Sequence, residues 1–171
     1  PAQNAQRYFK LYQKARSAKS LAAEQIQKTG EELYYLEGQM ENLEKCEDEP
    51  SLAELRAELE KLGYVSASRS RKQIKQLPPS VPMKFTSPAG RVILVGKNNL
   101  QNDYVTTKLA EKNDYWFHVK NAAGSHVVMV CGEDEPSAAS FTECAMIALF
   151  YSSEREKPQA AVDFPRARYV K

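Results

Sequence analysis

Residues 114–129, DYWFHVKNAAGSHVVM, decide the fold because they hold two strands and the loop between them. Side chains of alternating character run from Tyr115 to Lys120, and a period of two residues indicates a β-strand with two different faces. The loop that follows contains Gly124, which permits a positive φ or the close approach of another backbone. A second apolar run, from His126 to Cys131, then predicts that the two strands form an antiparallel hairpin.

The region upstream of this hairpin also has the pattern of paired strands. Pro88-Ala89-Gly90 separates apolar runs at residues 84–87 and 92–95, which predicts another hairpin. A short helix is expected to begin at Asn102 or Asp103, because either side chain can cap a helix, and to reach Ala110.

Downstream of the hairpin, a second helix is predicted to begin at Pro136, and two short strands are predicted to follow it. The fold class expected for this part of the chain is α+β, with a small, mostly antiparallel sheet and helices on one face. The buried face of the second helix should hold Phe141, Cys144, Ala145, Ala148 and Leu149, and the last strands should cover residues 160–163 and 168–171.

The N-terminal part is predicted to be a long helical arm. Residues 3–48 form one continuous helical pattern, and such a helix would span roughly 65–70 Å at ~1.5 Å per residue. It is too long to be buried in a domain of this size, so it should pair with another helix. The predicted seam repeats at alternating four- and three-residue spacing, and its members are Ala22, Ile26, Thr29, Leu33, Leu36, Met40 and Leu43.

A shorter return helix is expected directly after the arm. Residues 47–50 form the predicted turn, Ser51 is the expected N-cap, and Glu54 completes a capping box. Gly63 should end this helix. An antiparallel coiled-coil hairpin is the simplest arrangement, although pairing of the seam between two chains, giving an oligomer, is an open alternative.

Charged residues are unevenly distributed along the chain. Residues 1–23 carry five bases and no acid, residues 24–60 carry twelve acids and three bases, and residues 61–102 carry eight bases and no acid. Such blocks suggest a partner with a strong field of its own, although solvated faces would explain them equally well. The helical patterns and a basic stretch that ends in Pro78, Pro79 and Pro82 predict a coiled coil at 1–62, a basic linker at 63–82 and the α+β domain at 83–171, cut short at its C-terminus.

Composition excludes several classes of protein. No apolar run approaches the ~20 residues that a membrane span needs. Three cysteines without a C-x-x-C spacing, and only two histidines, argue against disulfides and structural zinc. We expect no metal, no cofactor and a reducing compartment. Because the chain begins at Pro1, we also expect it to be a piece of a longer protein.

Two polar groups are candidates for binding a partner. On the strand at 115–120, Trp116 and His118 share a face with Asp114 and Lys120, which favours a recognition face where the indole stacks and the lysine meets phosphate. The simpler interpretation is an amphipathic strand with Trp116 under a loop. The turn that contains Lys97, Asn98, Asn99 and Asn102 is either a rim against RNA or an ordinary amide-rich turn.

Catalysis is not expected from these residues. His126 begins the strand beside the one that carries His118, so the two imidazoles are expected to lie near each other. A metal pair would need a third ligand, and Cys131 has the wrong strand parity to supply it. No serine or cysteine nucleophile is placed beside a histidine base. The chain is therefore predicted not to be an enzyme.

The motifs around the hairpin resemble a known family. Residues 96–129, GKNNLQNDYVTTKLAEKNDYWFHVKNAAGSHVVM, closely resemble the signature of the NFACT-R domain. Residues 140–155 and 162–171, SFTECAMIALFYSSER and VDFPRARYVK, are similar to its later helix and strand. The predicted coiled coil resembles the middle region of the NFACT family, so the resemblance covers essentially the whole chain.

This resemblance implies a function that the composition alone does not. NFACT proteins associate with the large ribosomal subunit that holds a stalled nascent chain, recruit tRNA and support the addition of C-terminal tails. The implied role is a non-enzymatic binding module in ribosome quality control, in the cytoplasm. Similar streptococcal proteins are called fibronectin- or fibrinogen-binding proteins, so a surface adhesin that meets fibronectin or fibrinogen is the alternative.

The resemblance also implies site residues. Lys97 stands where many relatives have arginine, which keeps the charge but loses the planar fork. The positions carried over are Lys97, Asn98, Asn99, Asn102, Asp103, Asp114, Trp116, His118, Gly124, Ser125 and His126. Charge alone adds Lys120 and the linker residues Arg69, Arg71, Lys72 and Lys75.

Overall fold

The computed structural model describes residues 2–66 and 80–170 of the 171-residue chain. These residues form two compact units, one up to residue 36 and the other from residue 37 onward. No helix within the described ranges is long and apolar enough to cross a membrane.

The first unit is a single helix, the N-terminal part of α1 (Ala2–Glu44). The predicted long helix is confirmed, and it ends four residues earlier than expected. Most of its seam side chains are exposed, with Ile26 at 73% and Leu33 at 56%, whereas Leu36 is half-buried. Exposed polar contacts of i,i+4 spacing lie along the helix, including the ion pair of Lys28 with Glu24 and the hydrogen bond of Gln27 with Glu31.

The second unit begins with the end of α1 and the return helix α2 (Glu49–Lys61). The expected N-cap at Ser51 is wrong, because Asp48 has the extended backbone of a cap and its carboxylate accepts a hydrogen bond from the Ser51 amide at 2.7 Å. Ser51 instead lies fully buried within the first turn. Gly63 follows the helix with φ of +84°, as predicted.

The side of α1 that is buried in the second unit is polar. Gln39 and Asn42 are buried, whereas the seam residues Met40 and Leu43 are 61% and 48% exposed. Gln39 Nε2 donates to Glu58 Oε1 of α2 at 3.0 Å. In this unit, therefore, the side chains that join the two helices lie on a different side of α1 from the predicted seam.

Within residues 2–66 and 80–170, five antiparallel strands form the sheet, in the order β1-β2-β4-β3-β5. The hairpin predicted from residues 114–129 is confirmed, with Phe117 opposite Val127 and Tyr115 opposite Met129. Asn121, which begins its loop, has a left-handed φ of 56°, a conformation that asparagine tolerates. The strands are β1 (Met83–Thr86), β2 (Val92–Val95), β3 (Tyr115–Val119), β4 (Val127–Met129) and β5 (Val162–Asp163).

Both faces of the sheet are covered. Val127 and Val128 point to opposite faces, and both are fully buried. Helix α4 (Ala138–Phe150) packs on the face that carries Phe117 and Val119, and the described side chains of that core also include Cys144 and Ala148. The sequence placed the helices on one face, and the structure adds a short helical segment over the other.

This second segment consists of α3 (Asn99–Tyr104) followed directly by a π-helix (Val105–Leu109). The expected cap at Asn102 or Asp103 is wrong. Asn98 is the cap, because its side chain accepts a hydrogen bond from the Gln101 amide at 2.9 Å.

The end of the chain also differs from the expectation. The predicted strand at 168–171 is wrong for its described part, where Ala167–Tyr169 is a 3₁₀ helix. Arg166, just before it, forms an isolated bridge with Tyr115 and places its guanidinium 4.1 Å from that ring. The C-terminal segment therefore pairs with Tyr115 through the single residue Arg166, and not through a strand.

Gly96, between β2 and α3, has no room for a side chain. A Cβ atom there would overlap Asn102 Oδ1 and lie 2.8 Å from the Asn102 backbone nitrogen. The glycine thus allows α3 to fold back onto the end of β2.

We predict that Gly96→Ala lowers the free energy of unfolding by about 1–3 kcal/mol, the usual cost of overpacking. Urea unfolding followed by the fluorescence of Trp116, the only tryptophan, measures this. Gly30→Ala is the control, because nothing lies within 4 Å of a Cβ there and alanine favours a helix. Equal stability of the Gly96→Ala variant and the parent chain would contradict the tight packing.

Candidate nucleic-acid interface

The amide-rich turn contacts the return helix. Three side chains of the turn meet three carboxylates of the α2 segment, and we call this set of contacts the acid–amide interface. The pairs are Lys97 Nζ with Asp48 Oδ2 at 2.6 Å, Asn98 Nδ2 with Glu54 Oε2 at 2.9 Å, and Asn99 Nδ2 with Glu58 Oε1 at 3.0 Å.

Two of the predicted rim residues are buried structural groups. Asn98 is 1% exposed and divides its amide between Glu54 and the α3 cap. Asn102 is also buried, and it accepts from the His126 amide at 2.9 Å and donates to the Gly124 carbonyl at 3.3 Å. Because both side chains are used internally, they shape the site from within. Asp103, the next residue, is exposed.

The ion pair at the acid–amide interface is electrostatically favourable. Hydrogen bonds from Lys97, and then from Ser51, hold the pKa of Asp48 down to about 2. The aspartate is therefore ionised at neutral pH and serves both as helix cap and as partner of Lys97. The charge of Lys97, expected to meet phosphate, is compensated within the chain.

The face of β3 predicted to be exposed is only partly so. Trp116 and His118 are half-buried and Lys120 is exposed, as a recognition face requires. The expectation is wrong for Asp114, which is 1% exposed. Its carboxylate accepts hydrogen bonds from the Cys131 and Glu111 amides at 2.9 and 2.8 Å, so it joins β3 to its neighbours.

Three rings gather on this face, and we call Trp116, His118 and His126 the ring cluster. The Trp116 and His118 rings are stacked, with centroids 5.5 Å apart and planes at 20°. His126 meets both edge-on, at 4.9 Å and 5.4 Å. The predicted proximity of the two imidazoles is confirmed.

Burial keeps both imidazoles neutral at pH 7. It is the main cause that lowers the pKa of His126 to about 4, and the neighbouring His118 lowers it further. Burial also lowers the pKa of His118. The Asp163 carboxylate opposes this shift, and the positive charge of Lys45 adds to it. His126 Nδ1 is hydrogen-bonded to Thr106 Oγ1 of the π-helix at 2.8 Å.

Lys45 lies beneath this site, at the end of α1. It is 8% exposed, and its Nζ donates to Ser125 Oγ at 3.2 Å and to the Tyr151 carbonyl at 2.8 Å. Burial lowers its pKa to about 8, although Glu41 opposes the shift. The sequence analysis missed both Lys45 and Thr106, and the one available signal was a lone lysine within a strongly acidic stretch.

Gly124 and Ser125 join the hairpin loop to the segment after α4. A Cβ on Gly124 would lie 2.9 Å from Ser152 Cβ, so the predicted close approach is confirmed. Ser125 is 1% exposed, and its amide donates to the Tyr151 carbonyl. Both residues therefore position the loop that carries His126.

The remaining candidates concern the linker and metals. In residues 2–66 and 80–170, no group of three or more His, Cys, Asp and Glu side chains is arranged to hold a metal ion. The four basic linker residues predicted to bind lie outside the described residues, namely Arg69, Arg71, Lys72 and Lys75.

Comparison with known proteins identifies the family. Residues 1–77 match the model of the NFACT N-terminal and middle domains, and residues 82–166 match that of the NFACT protein RNA binding domain. The chain belongs to the NFACT family. The expectation drawn from the motif resemblance is thus confirmed, and the ring cluster lies within the NFACT RNA-binding domain.

Curated relatives can be aligned with nearly the whole of this sequence. One, named Rqc2 homolog RqcH, from Bacillus subtilis (strain 168), is 36% identical over 172 residues, which cover 100% of this chain and 30% of the relative. Another of the same name, from Streptococcus suis (strain 05ZYH33), is 38% identical over 98% of this chain and 30% of its own. The chain spans about a third of their length.

A solved structure has a similar fold. It is the C-terminal part of the fibronectin/fibrinogen-binding protein from Streptococcus suis, which is 38% identical to this chain with a TM-score of 0.80. The match covers 98% of this chain and 66% of that one.

We predict that Glu54→Ala lowers the free energy of unfolding by about 1–3 kcal/mol, because it leaves the buried Asn98 amide without its acceptor. Urea unfolding measures the loss. Glu60→Ala on the same helix is the control, since it removes only an i,i+4 pair with Arg56, for which about 0.3–0.5 kcal/mol is expected. Equal effects of the two substitutions would show that the acid–amide interface adds little.

Lys45 makes stability depend on pH in the alkaline range. Its pKa is about 8 in the folded chain and 10.5 for the unperturbed group, so the unfolded chain binds more protons between these values. Stability therefore rises with pH across this window, by roughly 2–4 kcal/mol at about 1.4 kcal/mol per pKa unit. Urea unfolding at pH 7 to 10.5 should show the parent chain gaining stability relative to Lys45→Met as pH rises, a difference that cancels the opposite effect of the thiols of Cys131 and Cys144, whose pKa burial raises. Parallel pH profiles for the parent chain and Lys45→Met would contradict a Lys45 pKa that burial lowers.

Proposed function

We propose that this NFACT chain is a non-enzymatic RNA-binding module that engages the stalled large ribosomal subunit and tRNA in ribosome quality control. The observation that carries the proposal is the match of residues 82–166 to an RNA-binding domain. The relatives named Rqc2 homolog RqcH support the pathway. In this role the protein would work in the cytoplasm, bound to ribosomes.

The proposed RNA-contacting surface is the side of the sheet that carries the ring cluster. The π-helix lies on this side, since Thr106 bonds His126, and the segment that follows leads into β3. Exposed lysines on these elements can neutralise phosphates, which dominate the affinity for nucleic acid. These lysines are Lys108, Lys112 and Lys120.

The motif residues then divide into two roles. Those that are buried and internally bonded, Asn98, Asn102, Asp114 and Ser125, support the surface from beneath. Those with solvent access contact RNA. This second group consists of Trp116, His118, His126 and Lys120, with Asp103 at the margin. The four basic linker residues, which lie outside the described part of the chain, are proposed as further phosphate contacts.

A second candidate function is binding to fibronectin or fibrinogen. It is favoured by the similarity to the streptococcal fragment of that name, at a TM-score of 0.80. Capture of the folded chain on immobilised fibronectin, with no binding to ribosomal subunits, would favour this alternative.

We predict that the chain co-sediments with purified large ribosomal subunits and that binding falls steeply as salt rises, through release of counterions. Lys120→Gln should weaken binding and reduce the magnitude of the salt slope by about one unit, because one phosphate contact is lost. Lys157→Gln is the matched control, since Lys157 is exposed but paired with Glu154 at 2.6 Å in the turns that follow α4.

Equal effects of the Lys120 and Lys157 substitutions would place the contact surface elsewhere. Absent or salt-insensitive binding of the parent chain would contradict the RNA-binding proposal itself.

A further inference from the structure

The ring cluster is built to present flat aromatic surface. Trp116 and His118 form a stack with planes only 20° apart, and His126 closes one side edge-on. All three residues are half-buried, so each keeps some access to solvent, although the Trp116 indole nitrogen itself is buried. Exposed stacked rings on a sheet are a common platform for nucleobases, because every base has a π-face.

The rings of the cluster carry no positive charge at neutral pH that would attract a phosphate. Its two imidazoles are neutral at pH 7, because burial lowers the pKa of each. A neutral imidazole gives no ionic attraction to a phosphate, whereas it can stack on a neutral ring and hydrogen-bond to its edge. The adjacent positive charge is Lys120, which is exposed and follows directly after β3, two residues beyond His118.

We infer that the ring cluster is a binding site for one unpaired nucleobase, which stacks on the Trp116–His118 platform while Lys120 contacts the flanking phosphate. This inference rests on the proposed RNA-binding function and names the ligand class of that surface. A base within a duplex is stacked on both sides and cannot reach such a platform, so the site selects loops, bulges or single strands.

The rings are held in place by groups that do not reach the base. Thr106 Oγ1 is hydrogen-bonded to His126 Nδ1, and Asn102 fixes the backbone of the same histidine. Thr106 comes from a π-helix, a rare conformation that is frequent at functional sites. Asp114 fixes the start of β3 just before Trp116. The site is therefore largely formed before the base arrives.

The test uses the intrinsic fluorescence of the full 171-residue chain, since Trp116 is the only tryptophan. The probes are an eight-residue oligouridine, an eight-residue oligoadenosine, an abasic ribose-phosphate oligomer of the same length and a blunt RNA duplex of equal charge. We expect the two single strands to quench Trp116 and the abasic oligomer and duplex to leave it unchanged. Anisotropy of labelled probes gives the affinities.

Variants separate stacking from folding. His118→Leu keeps the bulk of the side chain but removes the platform ring, and it should weaken oligouridine binding about 5- to 100-fold, the range expected for one stacked base. Binding of the abasic oligomer should not change. Trp116→Phe should retain more affinity than Trp116→Leu, because a smaller aromatic ring still stacks. Thermal unfolding of each variant identifies any that fails to fold.

The outcomes distinguish this inference from the function on which it rests. If the abasic oligomer binds as tightly as oligouridine and neither quenches Trp116, RNA binding stands and the base site is wrong. Preferential binding and quenching by the duplex would also overturn the base site. If no oligomer binds at low salt, both the RNA-binding function and the base site are contradicted.

Discussion

The rest of the second unit depends on the hydrogen bonds that the Glu54 carboxylate accepts. Glu54 accepts hydrogen bonds from the backbone and hydroxyl of Ser80, where the sheet domain begins, and from the buried Asn98 amide. Asn98 caps α3, which continues into the π-helix that carries Thr106. Thr106 in turn bonds His126 of the ring cluster. A charged group of the return helix α2 is thus connected to the candidate site through a short series of packed polar groups.

This arrangement explains why a turn so rich in amides contributes little exposed polar surface. A buried amide that lacks a partner is costly, so Asn98 and Asn102 fix the neighbouring elements in one geometry. Lys97 is likewise paired with Asp48, which leaves the positive charge for a nucleic acid to the exposed lysines near β3. Polar residues that the sequence grouped as one rim therefore separate into internal supports and surface contacts.

Local patterns predicted the elements well, and long-range partners decided what the patterns could not. Alternation along residues 115–119 correctly placed Phe117 and Val119 in the core, and the hairpin followed from it. The cap of α3 was misplaced because Asn98 and Asn102 look alike in sequence. Asn102 is bonded to Gly124 and His126, more than twenty residues away, and no local spacing encodes that contact. Alternation also predicted the strand face on which Asp114 lies, but it could not show that this carboxylate is buried and accepts a hydrogen bond from the Cys131 amide.

We propose that RNA meets the ring-cluster side of the NFACT-R sheet, while the acid–amide interface remains internal. The most direct measurement is a nuclear magnetic resonance titration of the isotope-labelled chain with oligouridine. Chemical-shift changes are predicted for the Trp116 indole, the amides around Lys120 and the π-helix, with little change along α2. Changes concentrated on α2 and residues 97–99, with a stationary Trp116 indole, would contradict the account.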